Sequence, residues 1–356
     1  MPAPDDTDNP TTAYEDLLDL PNVIAVNYDA AADVLTVLVS QKLPEDQLDE
    51  TELANRHPLV DDVDTDVMDA GFGEQRDGFR TLDLQPSADE LSVNPQLATQ
   101  KRHRPVRGGA SEIVHDGTAA TGGYFPAIIT DTEKTGAVWS DRVREGFAVR
   151  LSNCHVYANS GAADLGANIV QPSPYDGGRA ADDTVGDLVG YAHLEDGVTA
   201  DVAARSLDDL FNEDDGYVDL NQNWPNGIRR DASSLEGETV HKTGRTTGTT
   251  SGAVNRTNVS LRVTYGHGTV TLRDQLLTDH MSQGGDSGSP VFTDRGEFIG
   301  HIFAGSPRYS VVNKVRNIEY ELGVHCVDWS GQLSLPEVKA RVDDLKDELG
   351  LKKVII

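Results

Sequence analysis

Ser287 lies in the run Gly284-Gly285-Asp286-Ser287-Gly288-Ser289-Pro290. Glycines around a serine let the backbone take turns closed to other residues. Such a turn aims the amides of Gly285 and Ser287 at one spot, where a negative oxygen can be held. A serine hydroxyl is a weak nucleophile, so this chemistry requires a histidine to take its proton and a carboxylate to orient that histidine. His155 is the histidine candidate, at the exit of the apolar run Val149-Arg150-Leu151-Ser152-Asn153-Cys154. Asp201 is the carboxylate candidate, followed by the small apolar residues Val202-Ala203-Ala204. Asp196, Asp208 and Asp209 compete with it in the same acid-rich stretch. Cys154 adjoins the proposed base, but the loop around Ser287 is far better built for a nucleophile, so Cys154 reads as a small buried residue. The chemistry implied is attack of an activated hydroxyl on a carbonyl carbon.

The three candidates follow one another as His, Asp, Ser, 46 and 86 residues apart. That order is the one used by double-barrel proteases; two unrelated folds use other orders. With Leu151-Ser152-Asn153-Cys154-His155-Val156 and Gly285-Asp286-Ser287-Gly288-Ser289-Pro290, the chain resembles the chymotrypsin-like (trypsin-fold) serine peptidases. It is most similar to their microbial branch, whose motifs read Leu-Ser-Asn-x-His-Val and Gly-Asp-Ser-Gly-Ser-Pro. A third marker is Lys242-Thr243-Gly244-Arg245-Thr246-Thr247-Gly248, read from its residues as a tight hairpin; it lacks the pattern of a phosphate-cradling loop. The resemblance covers residues 105–330. It implies a mainly β fold of two six-stranded antiparallel barrels with the site between them. It also implies a serine endopeptidase in which His155, Asp201 and Ser287 are catalytic and the Gly285 and Ser287 amides form the oxyanion hole.

By the same resemblance, Met281 falls at the base of the primary specificity pocket, and Gly300–Gly305 lines its wall, with Gly305 touching substrate. A methionine carries no charge, so a preference for Arg or Lys is not implied. Relatives that cut after glutamate carry a Gly-x-His arrangement in this strand. Here His301 stands one position off, and a shift of one residue turns a strand side chain to the other face. A small or apolar residue before the cut is therefore expected. Phe303 replaces the serine that, in chymotrypsin, bonds the buried aspartate.

The elements that must position these residues divide the chain. Residues 1–13 are polar and proline-bearing and read as disordered. Residues 14–72 read as a small α/β unit: strands over 22–28 and 33–40 joined as a hairpin, a helix over 45–55 and a third strand over 62–69. Residues 73–104 read as a linker. The basic patch Lys101-Arg102-His103-Arg104 within it is either a cleavage site or part of a solvated strap across the barrels. Residues 105–333, rich in Gly, Thr and Val with frequent turn signals, read as the double barrel. Residues 334–350 read as a helix with a capping box at Ser334 and Glu337, an apolar stripe of Val338, Val342, Leu345 and Leu349, and Gly350 beyond its end.

Composition bounds the partners. The 356 residues include 59 acidic and 30 basic ones, for a net charge of −29. Only nine of the basic residues are lysine. The acidity is spread along the chain, as suits a medium of high salt that screens and hydrates carboxylates. An extreme halophile, or a virus infecting one, is the expected source. The same charge argues against nucleic acid and anionic membranes as partners; the resemblance implies a protein or peptide substrate. No run approaches a membrane span. The start, Met1-Pro2-Ala3-Pro4-Asp5-Asp6, carries no secretory pattern, so a cytoplasmic or virion-associated location is expected. Two cysteines do not make a disulfide framework, and Cys154 and Cys326 are read either as a bridge or as free. No Cys/His cluster has metal spacing, and no cofactor is expected. Two other classes stay open beside an active peptidase. One is a structural or assembly protein that keeps the fold and cuts only itself or one partner; the other is a non-catalytic binding module. Oligomeric state is not written in the sequence.

Overall fold

Runs rich in Val, Thr and aromatic residues, punctuated by glycine turns, fold as strands because such side chains pack well on a pleated, half-buried surface. The computed structural model describes residues 9–47, 58–60, 63–84, 97–124, 126–207, 213–217, 226–328 and 335–350. Its second half closes on itself. Strands Thr239–Gly244, Gly248–Tyr265, Gly268–Asp279, Tyr309–Lys314, Phe298–Gly305 and Pro290–Thr293 pair antiparallel in that order. The last of them returns to Thr239–Gly244, which completes a six-stranded barrel.

The first half is barrel-like but built differently from the six strands expected. Eight short strands run in the order Val324–Cys326, Ala127–Ile129, Ala148–Ser152, Ala203–Arg205, Thr184–Ala192, Asn168–Val170 and Ile113–Val114, with Ala137–Trp139 added on Thr184–Ala192. Its two end strands do not pair with each other among the described residues. The edge strand Val324–Cys326 comes from beyond the second barrel, because helix Val315–Leu322 and its left-handed cap Gly323 carry the chain back. The architecture is thus mainly β with two barrel-like sheets. One apolar cluster joins the halves: Tyr124, Leu151 and Val202 pack with Phe292, Phe298 and Val315. The rings of Tyr124 and Phe298 stack with centroids 4.0 Å apart.

The N-terminal strands extend the second barrel's sheet. Val23–Asp29 pairs with Val34–Val39 through the expected hairpin and also with Gly248–Tyr265, placing Ala25 opposite Leu261. Asp64–Asp69 runs parallel to Val34–Val39. Where disorder is expected to reach residue 13, Pro10–Asp19 is a 3-10 helix, capped by the Asn9 side chain on the Thr11 amide. It buries Leu17 and Leu18 against Val23, Val26, Leu35 and Val37. That burial supplies the ordering free energy that polarity alone would deny it. Residues 1–8, and 48–55 of the expected helix, lie outside the described residues, whereas Glu45–Gln47 is a 3-10 turn.

Within the stretch read as linker, Phe79–Thr81 is a strand of the second barrel's sheet. It pairs parallel with Gly248–Tyr265 and antiparallel with Phe298–Gly305. Lys101–Arg104 is docked as well: the Arg104 guanidinium donates to the side-chain and main-chain oxygens of Gln171, and Arg102 pairs with Asp183 at 2.9 Å. The C-terminal helix spans Leu335–Glu348, with Gly350 left-handed beyond it. Ser334 lies outside the described residues, as do the side chains of Val338 and Val342. Of the expected stripe, Leu345 is half-buried and Leu349 is exposed. No helix among the described residues is long and apolar enough to cross a membrane.

Candidate active site

Strand Ala148–Ser152 ends at Asn153, and one helical turn, Cys154–Tyr157, begins there. This strand-to-helix corner projects His155 into the space between the two sheets. Asp201 enters from the segment before strand Ala203–Arg205. The segment is held by Asn313, whose side chain accepts from the Asp201 amide and donates to its carbonyl, at 3.1 and 3.0 Å. Asn153 donates to the same carbonyl. Ser287 comes from the loop before Pro290–Thr293. Gly285 and Gly288 both have positive φ, at 93° and 88°. A Cβ at Gly288 would stand 2.1 Å from the Thr121 carbonyl oxygen, so glycine is required there for space as well as for conformation.

The three expected side chains come together. His155 Nδ1 lies 2.6 Å from Asp201 Oδ2, and His155 Nε2 lies 2.7 Å from Ser287 Oγ. All three residues are buried, Asp201 and Ser287 fully. Asp201 Oδ1 accepts from the amides of Cys154 and His155, and Oδ2 also accepts from the Tyr265 hydroxyl at 3.0 Å. Burial alone pulls the His155 pKa down. The Asp201 charge, its hydrogen bond and the more distant Asp83 carboxylate outweigh that and set it above the ordinary histidine value. Among the rival carboxylates, Asp196 is exposed and bonded to the Thr271 amide; Asp208 and Asp209 lie outside the described residues. Both cysteines are free and buried, and burial holds the Cys154 thiol well above its usual pKa, so it stays protonated and inert.

Several supporting residues were missed by the sequence reading. Tyr265, at the end of the long strand Gly248–Tyr265, supplies the hydroxyl that Phe303 cannot. Burial first, then the Asp201 charge, keeps its phenol protonated. The turn Lys242–Gly248 is the expected hairpin, with Gly244 opposite Gly248, and it also grips the serine loop. Asp286 Oδ1 accepts from the Thr246 and Thr247 amides, and its Oδ2 accepts from the Thr247 hydroxyl and the Gln283 amide. The fully buried Lys242 ammonium lies 3.2 Å from the same carboxylate. Arg245 of the turn is bound bidentately by Asp176 at 2.8 and 2.5 Å, fastening the first sheet's Pro172–Gly178 loop to this face. The sequence marked this turn only as a hairpin and as the third marker of the resemblance.

The expected specificity residues divide. Met281 is buried in an apolar cluster with Leu235, Val240, Ile299 and Ile302. Gly305 faces an open cleft of about 830 Å³, bounded also by Leu82, His280, Ser282 and Gln283. His301 is fully buried, and its Nε2 accepts from the Tyr124 amide at 3.0 Å. Burial pushes its pKa down to about 3, so it stays neutral, and it is not among the residues that bound the cleft. Of the two expected oxyanion amides, that of Gly285 donates to the carbonyl oxygen of Leu82 at 2.7 Å. No group of three or more metal-ligating side chains occurs among the described residues.

No family model matches the chain, and no curated protein matches it. Solved structures do. Thermobifida fusca protease A aligns with a TM-score of 0.42 at 16% identity, over 64% of this chain and 99% of that one. A glutamic-acid-specific serine protease, described as using a histidine triad in substrate binding, aligns at 0.43 and 21%, over 62% of this chain and 100% of that one. A Nocardiopsis protease aligns at 0.43 and 16%, over 62% and 97%. These likenesses concern the path of the polypeptide; the functional reading rests on the site itself.

Proposed function

We propose that this chain is a serine endopeptidase of the microbial trypsin-like kind, acting through His155, Asp201 and Ser287. The observation that carries the reading is the unbroken line of contacts from Asp201 Oδ2 to His155 Nδ1 at 2.6 Å and from His155 Nε2 to Ser287 Oγ at 2.7 Å. Neutral His155 takes the Ser287 proton as Oγ adds to a peptide carbonyl carbon. Asp201 fixes the tautomer and stabilises the imidazolium, and the Gly285 and Ser287 amides hold the developing oxyanion, a donor of this kind being worth about 3–4 kcal/mol. The imidazolium then protonates the leaving amine, and water releases the acyl group by the same route in reverse. The −29 charge supports a medium of molar salt, as in an extreme halophile or its virus.

A second reading, a protein that keeps this chemistry for itself or one partner, is favoured by the Leu82 carbonyl on the Gly285 amide. Both readings need the nucleophile. Ser287→Ala is expected to abolish labelling by a fluorophosphonate probe in molar salt while circular dichroism stays that of the parent. Equal labelling of the variant would remove Ser287 from the reaction.

A further inference from the structure

Residues 79–84 cross the site in the posture of a substrate. Arg80 pairs with Gly305 and Thr81 with Ala304, antiparallel to the strand expected to form the pocket wall. The Leu82 amide donates to the Phe303 carbonyl at 3.3 Å, and the Leu82 carbonyl oxygen accepts from the Gly285 amide at 2.7 Å. The Leu82 side chain packs on the apolar cluster that contains Met281, and its Cδ2 lies 3.2 Å from where a Cβ on Gly305 would stand. Asp83 follows, its carboxylate 3.9 Å from His155 Nε2. Beyond it the chain runs so close to Gly284 that a Cβ there would meet the Asp83 carbonyl oxygen at 2.8 Å. A strap that merely covered the cleft would not need its carbonyl on this amide. Lys101–Arg104, the basic stretch, bonds instead to Gln171 and Asp183.

We propose that Leu82–Asp83 is the enzyme's own first scissile bond, held across the site by strand Phe79–Thr81, and that the pocket selects leucine before the cut. The proposal rests on Ser287 being the nucleophile. Ser287 Oγ bonds to the Leu82 carbonyl carbon, and its proton passes to His155 Nε2. The carbon–nitrogen bond to Asp83 breaks, and the Asp83 nitrogen takes that proton as it becomes a new amino terminus. Water then frees the Leu82 carboxylate and restores Ser287. The strand's own anchoring, with Phe79 fully buried, makes the reaction intramolecular. Until it happens, the segment occupies the positions any other substrate would take.

The test is N-terminal sequencing of the purified full chain, incubated in molar salt over a range of protein concentrations. A new terminus reading Asp83-Leu84-Gln85 is expected, at a rate independent of concentration, and Ser287→Ala should stay intact even when mixed with the parent. Leu82→Asp should lose the cut yet still take up the fluorophosphonate, because a carboxylate is not held against the apolar cluster and the segment then leaves the serine open; uptake shows that the site is folded. A parent chain that labels at Ser287 but stays whole at residue 82 overturns the proposal and leaves the peptidase reading standing. Cleavage in proportion to concentration, or undiminished cleavage of Leu82→Asp, overturns it as well. A chain that neither labels nor cuts removes the nucleophile on which it rests.

Discussion

At the scale of single residues, the site is set by which charges reach the His155 ring. On the proposed mechanism the base must be neutral, so the labelling rate at Ser287 should rise with pH as His155 loses its proton. Because the His155 pKa is raised, that rise should centre above the value of about 6.5 typical of a free histidine. Asp83 contributes to the elevation from 3.9 Å but is half exposed, so salt screens it more than it screens the buried Asp201. Asp83→Asn is therefore expected to move the midpoint of the pH profile of self-cleavage after Leu82 to lower pH, and the displacement should shrink as salt is added. An unmoved midpoint in dilute buffer would show that the Asp83 charge is not felt at the ring. The same contacts explain what was legible. That Ser287, His155 and Asp201 would meet could be expected from their types and spacing, and the structure brings them together. Tyr265 could not: it bonds Asp201 from 64 positions away in the chain, and a tyrosine ending a strand looks like any other.

At the scale of elements, the Lys242–Gly248 turn is the clearest case of a motif seen and only half understood. Its glycines read correctly as a hairpin, whereas its Lys and Thr residues gave no local sign that they grip Asp286. The partner lies 44 residues away from Lys242, and the pairing exists only once the barrel has closed. The strand Phe79–Thr81 was hidden for a similar reason. Three residues are too few for a periodicity, and its pairing is supplied wholly by two distant strands. The first sheet's edge strand Val324–Cys326 likewise becomes a strand by joining Ala127–Ile129. The buried Lys242–Asp286 pair makes a testable claim about the turn. Removing one partner of a buried ion pair costs about 3–5 kcal/mol. Asp286 keeps four other donors, so Lys242→Met should fall near the lower end, about 3 kcal/mol of unfolding free energy. Because the lost contact holds the serine loop, labelling of Ser287 should slow along with it. Urea unfolding and probe kinetics, both in molar salt, check the two effects together. Full stability with unchanged labelling would mean that the turn is held by its Thr hydrogen bonds alone.

At the scale of the whole molecule, the charge is less evenly compensated than the totals suggest. Arg205 with Glu112 and Lys242 with Asp286 are fully buried ion pairs, Arg245 with Asp176 is nearly so, and Lys314 is buried against a partly exposed Asp274. Each takes a scarce cation out of the surface together with one acid, so the −29 net charge remains outside with fewer positive groups between the carboxylates. Surface repulsion of this kind acts over the Debye length, about 30 Å at 0.01 M salt and about 10 Å at 0.1 M. Molar salt also strengthens apolar burial in any protein, so a gain in stability at the high end would not identify the cause. The low end does. Between about 0.01 and 0.1 M, screening changes threefold while salting-out is negligible. The thermal midpoint should therefore climb steeply across that interval and continue upward more gently toward molar salt. The climb should be much the same with sodium chloride and potassium chloride, since screening depends on ionic strength rather than on ion identity. A midpoint flat over the dilute interval, with activity kept on dilution from molar salt, would remove the high-salt habitat from the reading and leave the triad untouched.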